Sequence, residues 1–312
     1  MADYYVDSTK VDDSGDGLSM GNAKKHISAA LGLVANPLTE VTTIHLMTGD
    51  VYTEENGLVS FRNIHPANEE AKLIIQPSNW MEGSYESAAN PFGGAEPFDI
   101  TGDKPLSLEI CFYFNNCGGI ELRGLHFDPN DDGKEMNVKA AGGNSEIVFK
   151  YCSFQCADMG LIVSGPSMVS FEMCFFIGNV YTLTAANGAT VALAGDNLFA
   201  DPMLGALRAI DRASINVNPW QYGKGRYYTT TINTTTTHKE EFHAILLQDA
   251  SSLRIPGDPM FPLDIYHGRV VVNHDGTKLP KNYYGVKLES KSLVSGADNF
   301  EFTMKNLKGE TV

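Results

Sequence analysis

The chain has 312 residues, 43% of them hydrophobic, and a formal net charge of −15. That length holds one large domain or two ordinary ones, and the apolar content supplies a sizeable core, which excludes wholesale disorder. The acid excess argues against nucleic acid as a partner, since phosphate backbones need clustered Lys and Arg, and no run of about 18 apolar residues is present to cross a membrane.

In chain order, Tyr4-Tyr5-Val6-Asp7 reads as a short strand. A stretch rich in Asp, Ser and Gly follows, which favours turns over burial. The segment after it has helical spacing, with Ile27, Ala30 and Leu31 on one side and Lys24 and Lys25 off it. Beyond this helix the pattern changes to short apolar alternations broken by Gly, Asn and Asp, the signature of strands and turns.

Those alternations repeat. GIELRGLHF (119–127), EIVFKYCSF (146–154) and MVSFEMCFF (168–176) align without gaps. Ile120, Ile147 and Val169 share one column, and Leu122, Phe149 and Phe171 the next. Leu125, Cys152 and Cys174 share a third, and Phe127, Phe154 and Phe176 close the unit. TVALAGDNLF (190–199) and SINVNPW (214–220) continue the series, so the first column recurs at 120, 147, 169, 191 and 215. Spacings of 22 to 27 residues match one coil of a parallel β-solenoid. Alternation turns these columns inward as apolar ladders and turns Arg123, Lys150 and Glu172 outward. The segments at 42–55 and 71–80 read as earlier coils. A β-sandwich is the competing architecture, but its strands recur at about 8–12 residues without column identity.

A solenoid end exposes its last apolar layer and its strand edges, so the opening strand and helix are expected to form an N-terminal cap over residues 1–40. Coils are expected over 41–220. A β-rich region, 221–312, continues or closes the solenoid, and its Thr-rich start (GKGRYYTTTINTTTTH) reads as a solvent-facing strand. The fold class is therefore all-β, a single right-handed parallel β-helix with a short capping helix.

The five cysteines (Cys111, Cys117, Cys152, Cys156, Cys174) sit in apolar strand-like segments and are expected to be free, buried thiols. The Cys152–Cys156 spacing has no second Cys or His pair to complete a zinc site. No cofactor is expected. Ca²⁺ is the one metal the composition would suit, on the oxygen-rich stretch 128–132.

Carbohydrate chemistry on such a scaffold would need outward carboxylates, paired about 5–10 Å apart for hydrolysis. The catalytic candidates are Asp128, Asp158 and Glu121, with Asp131, Asp132 and Asp196 also acidic and near turns. Asp128 and Asp158 fall at similar corners of adjacent coils, although FDPNDDGKE also has the composition of an ordinary polar turn. Trp220, Tyr222, Tyr227 and Tyr228, with Trp80, are the aromatic candidates for stacking on sugar rings. His126, outward beside Phe127, reads as a surface residue.

The opening YYVDSTKVDDSGDGLSMGNAKKHISAAL, with TIHLMTGDVYTEE after it, resembles the start of right-handed parallel β-helix proteins of the pectate-lyase-like superfamily. The C-terminal half, through NGATVALAGDNLF, GALRAIDRASINV, Gly223–Tyr227 and Pro256-Gly257-Asp258, resembles a β-helix segment of bacteriophage particle proteins. This second resemblance implies a virion structural protein, as a head decoration, fibre or tail-spike component. It implies a homotrimer bound to other virion proteins, and a chain made in the host cytoplasm, in keeping with an N-terminus that has neither the basic flank nor the apolar stretch of a signal peptide. The alternatives are a polysaccharide depolymerase, lyase or hydrolase, acting on host surface glycans, and a non-catalytic glycan-binding module.

Overall fold

A computed structural model of the chain describes residues 1–47, 51–54, 57–80, 107–127, 136–141, 143–155, 159–178, 181–195, 197–200, 202, 204–218, 228–235, 241–255, 268–275, 282–295 and 300–305. Its strands form three sheets of ten, nine and eight strands, here sheets 1, 2 and 3, and every strand pairing is parallel in the described residues. The chain visits the sheets in a fixed cycle. Ile120–Arg123 lies in sheet 1, His126–Phe127 in sheet 2 and Met136–Ala140 in sheet 3, before Glu146–Lys150 returns to sheet 1 beside Ile120–Arg123. Each cycle adds one strand to each sheet. This is a parallel β-helix, and β-crossover-β connections within one sheet are right-handed as a rule. A β-sandwich, built of antiparallel pairs, is excluded.

The inward columns follow the sequence alignment. Ile120, Ile147, Val169, Val191 and Ile215 are in direct register, extended upstream by Leu73 and downstream by Leu253 and Val294. In sheet 2 the column runs Tyr52, Leu108, Phe127, Phe154, Phe176, Phe199 and Ile232, all at 0–1% exposure. Its phenylalanines stack face to face, with centroids 5.0 Å apart for Phe127–Phe154, 5.0 Å for Phe154–Phe176 and 4.3 Å for Phe176–Phe199. Phe149 and Phe171 stack at 5.2 Å in sheet 1 and meet the first stack edge-on, as in Phe149–Phe154 at 5.5 Å. Both geometries suit the ring quadrupole.

The corner between sheets 1 and 2 is a single left-handed residue on four consecutive coils: Gly124, Tyr151, Met173 and Gly195, with φ of 59°, 54°, 53° and 69°. For Tyr151 and Met173 this conformation costs about 1–2 kcal/mol each, offset by the parallel register that it preserves. Gly124 has a second reason for its identity: a Cβ there would stand 2.7 Å from the Trp80 ring.

The expected first strand is Ala2–Val6, one edge of sheet 1, and Asp7 lies outside it. The helix is short, Ile27–Leu31, with Ile27 and Ala30 buried and Leu31 packed against the core from its margin. Its start is held by Asp13: Oδ1 accepts from the backbone N–H groups of Lys25 and His26, and Oδ2 lies 2.7 Å from His26 Nδ1.

The 221–312 region adds further coils in the same register. Tyr228–Thr235, Gly268–Asp275 and Phe300–Lys305 extend sheet 2, and Glu241–Leu247 and Asn282–Leu288 extend sheet 3. The Thr-rich strand departs from the expected solvent-facing one, because Thr230 is fully buried in register with Asn197, and Ile232 continues the Phe199 column. Cys111, Cys117, Cys152 and Cys174 are free thiols, all but the half-buried Cys111 inside the core, and Cys156 lies outside the described residues. Burial pushes the Cys111 thiol up to about 11 against a small opposing pull from Lys139.

Candidate functional site

Glu121 is the one catalytic candidate among the described residues. Asp128, Asp131, Asp132, Asp158 and Asp196 lie outside them, as do Trp220, Tyr222 and Tyr227, while Tyr228 is the first residue of its strand. Glu121 projects from the outer face of sheet 1, because Ile120 and Leu122 on either side are core residues.

Although outward, Glu121 is only 8% exposed, since long side chains of three coils close over it. Arg123 Nε donates to its Oε1 at 2.6 Å, Lys72 Nζ to its Oε2 at 3.1 Å, and Lys150 Nζ stands 3.5 Å from Oε1. Lys150 also pairs with Glu172 at 3.4 Å, and Arg123 Nη1 lies 3.4 Å from Gln76 Oε1. The outward column of Arg123, Lys150 and Glu172 is therefore an ion network that ties consecutive coils together.

Burial alone would push the Glu121 carboxyl up, but the Arg123 hydrogen bond and the charges of Lys150, Arg123 and Lys72 outweigh it, and the group is held below its ordinary 4.5. Such a carboxylate carries no proton at neutral pH and cannot serve as a general acid there. Both its oxygens are already committed to cations. The arrangement is that of a cross-coil staple, in which each desolvated charge has a partner.

A stability test follows with a defined sign. Because the folded carboxyl is more acidic than the unfolded one, the contribution is complete above about 4.5 and is lost as pH falls through the folded value. Glu121→Gln, which cannot titrate, is expected to melt below the wild type at pH 7 by the equivalent of roughly 2 kcal/mol, the scale of hydrogen bonds to a charged group. The gap should close as the pH drops below 4.5. A gap that does not change with pH would remove the ion network as its cause.

Two features lie beside this network: Trp80, already an aromatic candidate, and Lys72 with Gln76, which were not candidates. Trp80 packs 5.7 Å from Tyr151 across the corner at Gly124, and Gly124 and Tyr151 directly follow Arg123 and Lys150 in sequence. Lys72 and Gln76 enter because Leu73 stands level with Ile120. Aligning KLIIQP with GIELRG, so that Leu73 falls on Ile120, would have brought Lys72 beside Glu121 and Gln76 beside Arg123. His126 is half-buried, with Nδ1 2.6 Å from Ser153 Oγ on the next coil. A surface depression lined by Thr39, Glu40, Asn68, Glu69 and Glu70 contains none of the predicted site residues.

No protein-family model matches the chain, and no curated protein matches it by sequence. Among solved structures it is similar to pectin methylesterase PemA from Erwinia chrysanthemi, at 13% identity and a TM-score of 0.34, covering 100% of this chain and 85% of that one. It is also similar to Escherichia coli YbhC, at 10% identity and a TM-score of 0.36, covering 99% and 86%. The β-helix assignment rests on the strand register itself.

Proposed function

We propose that this chain is a structural protein of a bacteriophage particle, as a head decoration, fibre or tail-spike component, made in the host cytoplasm and acting through self-association and contacts with other virion proteins. The observation that supports this reading most directly is the state of Glu121. An outer-face carboxylate that would be available in a catalytic groove is instead spent on Lys72, Arg123 and Lys150, which fastens coils laterally. The resemblance of its C-terminal half to phage particle segments agrees with that use of the surface. The excess of 38 acidic over 23 basic residues would keep many copies soluble before assembly.

The test is the solution mass of the purified chain by light scattering during size exclusion. A homotrimer near three times 34.0 kDa is expected. A monomer across the accessible concentration range would overturn the reading. Assays of Asp128→Asn and Asp158→Asn on a polysaccharide panel would then take precedence, since depolymerase activity on a host glycan is the competing function.

A further inference from the structure

Exposed apolar side chains concentrate at the two ends of the solenoid. Of the eleven large ones exposed among the described residues, seven lie within residues 1–58 and two on the last described coil, so the flanks are nearly free of them. At the first end, a loop lies beyond Ala2–Val6, the strand that edges sheet 1. Tyr5 N–H donates to the Gly17 carbonyl at 2.8 Å, and Lys24 N–H to the Tyr5 carbonyl at 2.9 Å. The loop holds Val11, Leu18 and Met20 at 90%, 63% and 52% exposure. Its turns are fixed from within: Asp12 Oδ1 accepts from Ser14 N–H and Asp16 Oδ1 from Leu18 N–H, both at 2.9 Å. Apolar groups on a loop ordered in advance lose little entropy on binding.

The charges of this end are sorted. Lys10, Lys24 and Lys25 are half-buried, with their amines on the carbonyls of Gly21, Asp13 and Val11, and Asp13 is spent on His26. Asp12 and Asp16 stay exposed and, among the described residues, have no cation within ion-pair distance. The opposite end carries the complement. Asn282–Leu288, Leu293–Ser295 and Phe300–Lys305 are the outermost strands of their sheets. Leu288 continues the inward column of the fully buried Leu247, yet is itself 50% exposed, and Leu293 is 63% exposed. The turn between them sets Ser290 and Lys291 in the left-handed region, at φ of 51° and 65°, and leaves Lys291 exposed. Lys287 and Glu289 pair at 3.0 Å, so Lys291 is the charge of this turn left without a partner among the described residues.

An exposed apolar patch rimmed by polar groups marks a contact surface. One end of this chain offers apolar side chains beside two carboxylates, and the other offers leucines beside an ammonium group. We propose that the N-terminal loop of one copy seats on the last described coil of the next, head to tail along the solenoid axis. Gly17 and Lys24 already cover the edge of the first strand, so side chains make the contact rather than strand addition. Two different patches that meet in this way form a heterologous contact, which along one axis grows an open stack instead of closing. The end face of a single coil is small, which puts the contact in the weak class that forms at high concentration. This contact presupposes the self-associating reading above and adds an axial step to its trimer.

The test is sedimentation velocity of the full chain over a concentration series. The samples are the wild type, the head variant Leu18→Ser, the tail variant Leu293→Ser and an equimolar mixture of the two variants. Wild-type trimers are expected to grow in whole-trimer steps. Either variant alone should raise the dissociation constant of that step at least about tenfold, the scale of losing one buried leucine. The mixture restores one contact, the intact head of the tail variant on the intact tail of the head variant, so paired trimers should return without further growth. Both leucines are exposed in the single chain, so the variants should keep the wild-type far-UV circular dichroism spectrum. Trimers that never grow, growth that both variants leave unchanged, or a mixture that stays unpaired would overturn this inference and leave the trimer reading standing. Growth lost in the head variant yet kept in the tail variant would seat the loop on another face and overturn the head-to-tail contact. A wild type that is monomeric at every concentration would overturn both.

Discussion

Replacing Phe154 by alanine is expected to destabilise the β-helix by about 3–5 kcal/mol, the range for deleting a buried aromatic side chain. Phe154 is fully buried, stacks on Phe127 and on Phe176 at 5.0 Å each, and meets Phe149 and Phe171 edge-on at 5.5 and 6.0 Å. Parallel strands fix the spacing of these rings, so neighbouring coils cannot slide together to fill the hole. The loss should therefore lie toward the upper end of the range. Chemical denaturation monitored by circular dichroism measures it, with Phe154→Leu as a control that keeps most of the volume. A loss below about 1 kcal/mol for alanine would mean that the stack relaxes, contrary to close packing in the interior.

Asn197→Ala is expected to cost about 3 kcal/mol although it deletes little apolar surface. Asn197 is wholly buried at the corner of its coil, in register with Cys174. Its Oδ1 accepts from the Cys174 backbone N–H at 2.9 Å, and its Nδ2 donates to the carbonyls of Ala194 at 3.0 Å and Phe171 at 3.3 Å. Alanine would strand these backbone groups away from water, at roughly 1–3 kcal/mol for each that finds no new partner. Asn197→Asp separates the two halves of the role: it keeps the acceptor but loses both donors, so it should also be destabilising. If Asn197→Asp melts with the wild type, the donor bonds contribute nothing.

The β-helix was legible because its coils between 119 and 217 are short and nearly equal. Ile120, Ile147, Val169, Val191 and Ile215 could be aligned by eye, and the structure places them in one register. Leu253 and Val294 continue that column but were not visible in sequence, since longer connections precede them and leave no fixed period. The inward Thr230 was misread for a related reason. In a run of threonines composition cannot say which alternate residues face in, and only pairing with Asn197 and Phe199 decides it.

The candidate site divides in the same way. Sequence periodicity turned Glu121, Arg123, Lys150 and Glu172 outward, and all four lie in one ion network there. Lys72 joins them once Leu73 is set level with Ile120, whereas the downward shift of the carboxyl against its own burial needs the three cations placed in space.

By itself, then, the sequence determined the repeating unit, the inward ladders and the outward charge of sheet 1, because alternation along a strand and recurrence between coils are local properties of the chain. Tertiary structure alone decided which charges find partners. Glu121 gathers three cations and Arg208 gathers no carboxylate among the described residues. Pairing depends on side chains brought level by strand register from positions dozens of residues apart, and the energy of a charge is set by how much water its neighbours remove.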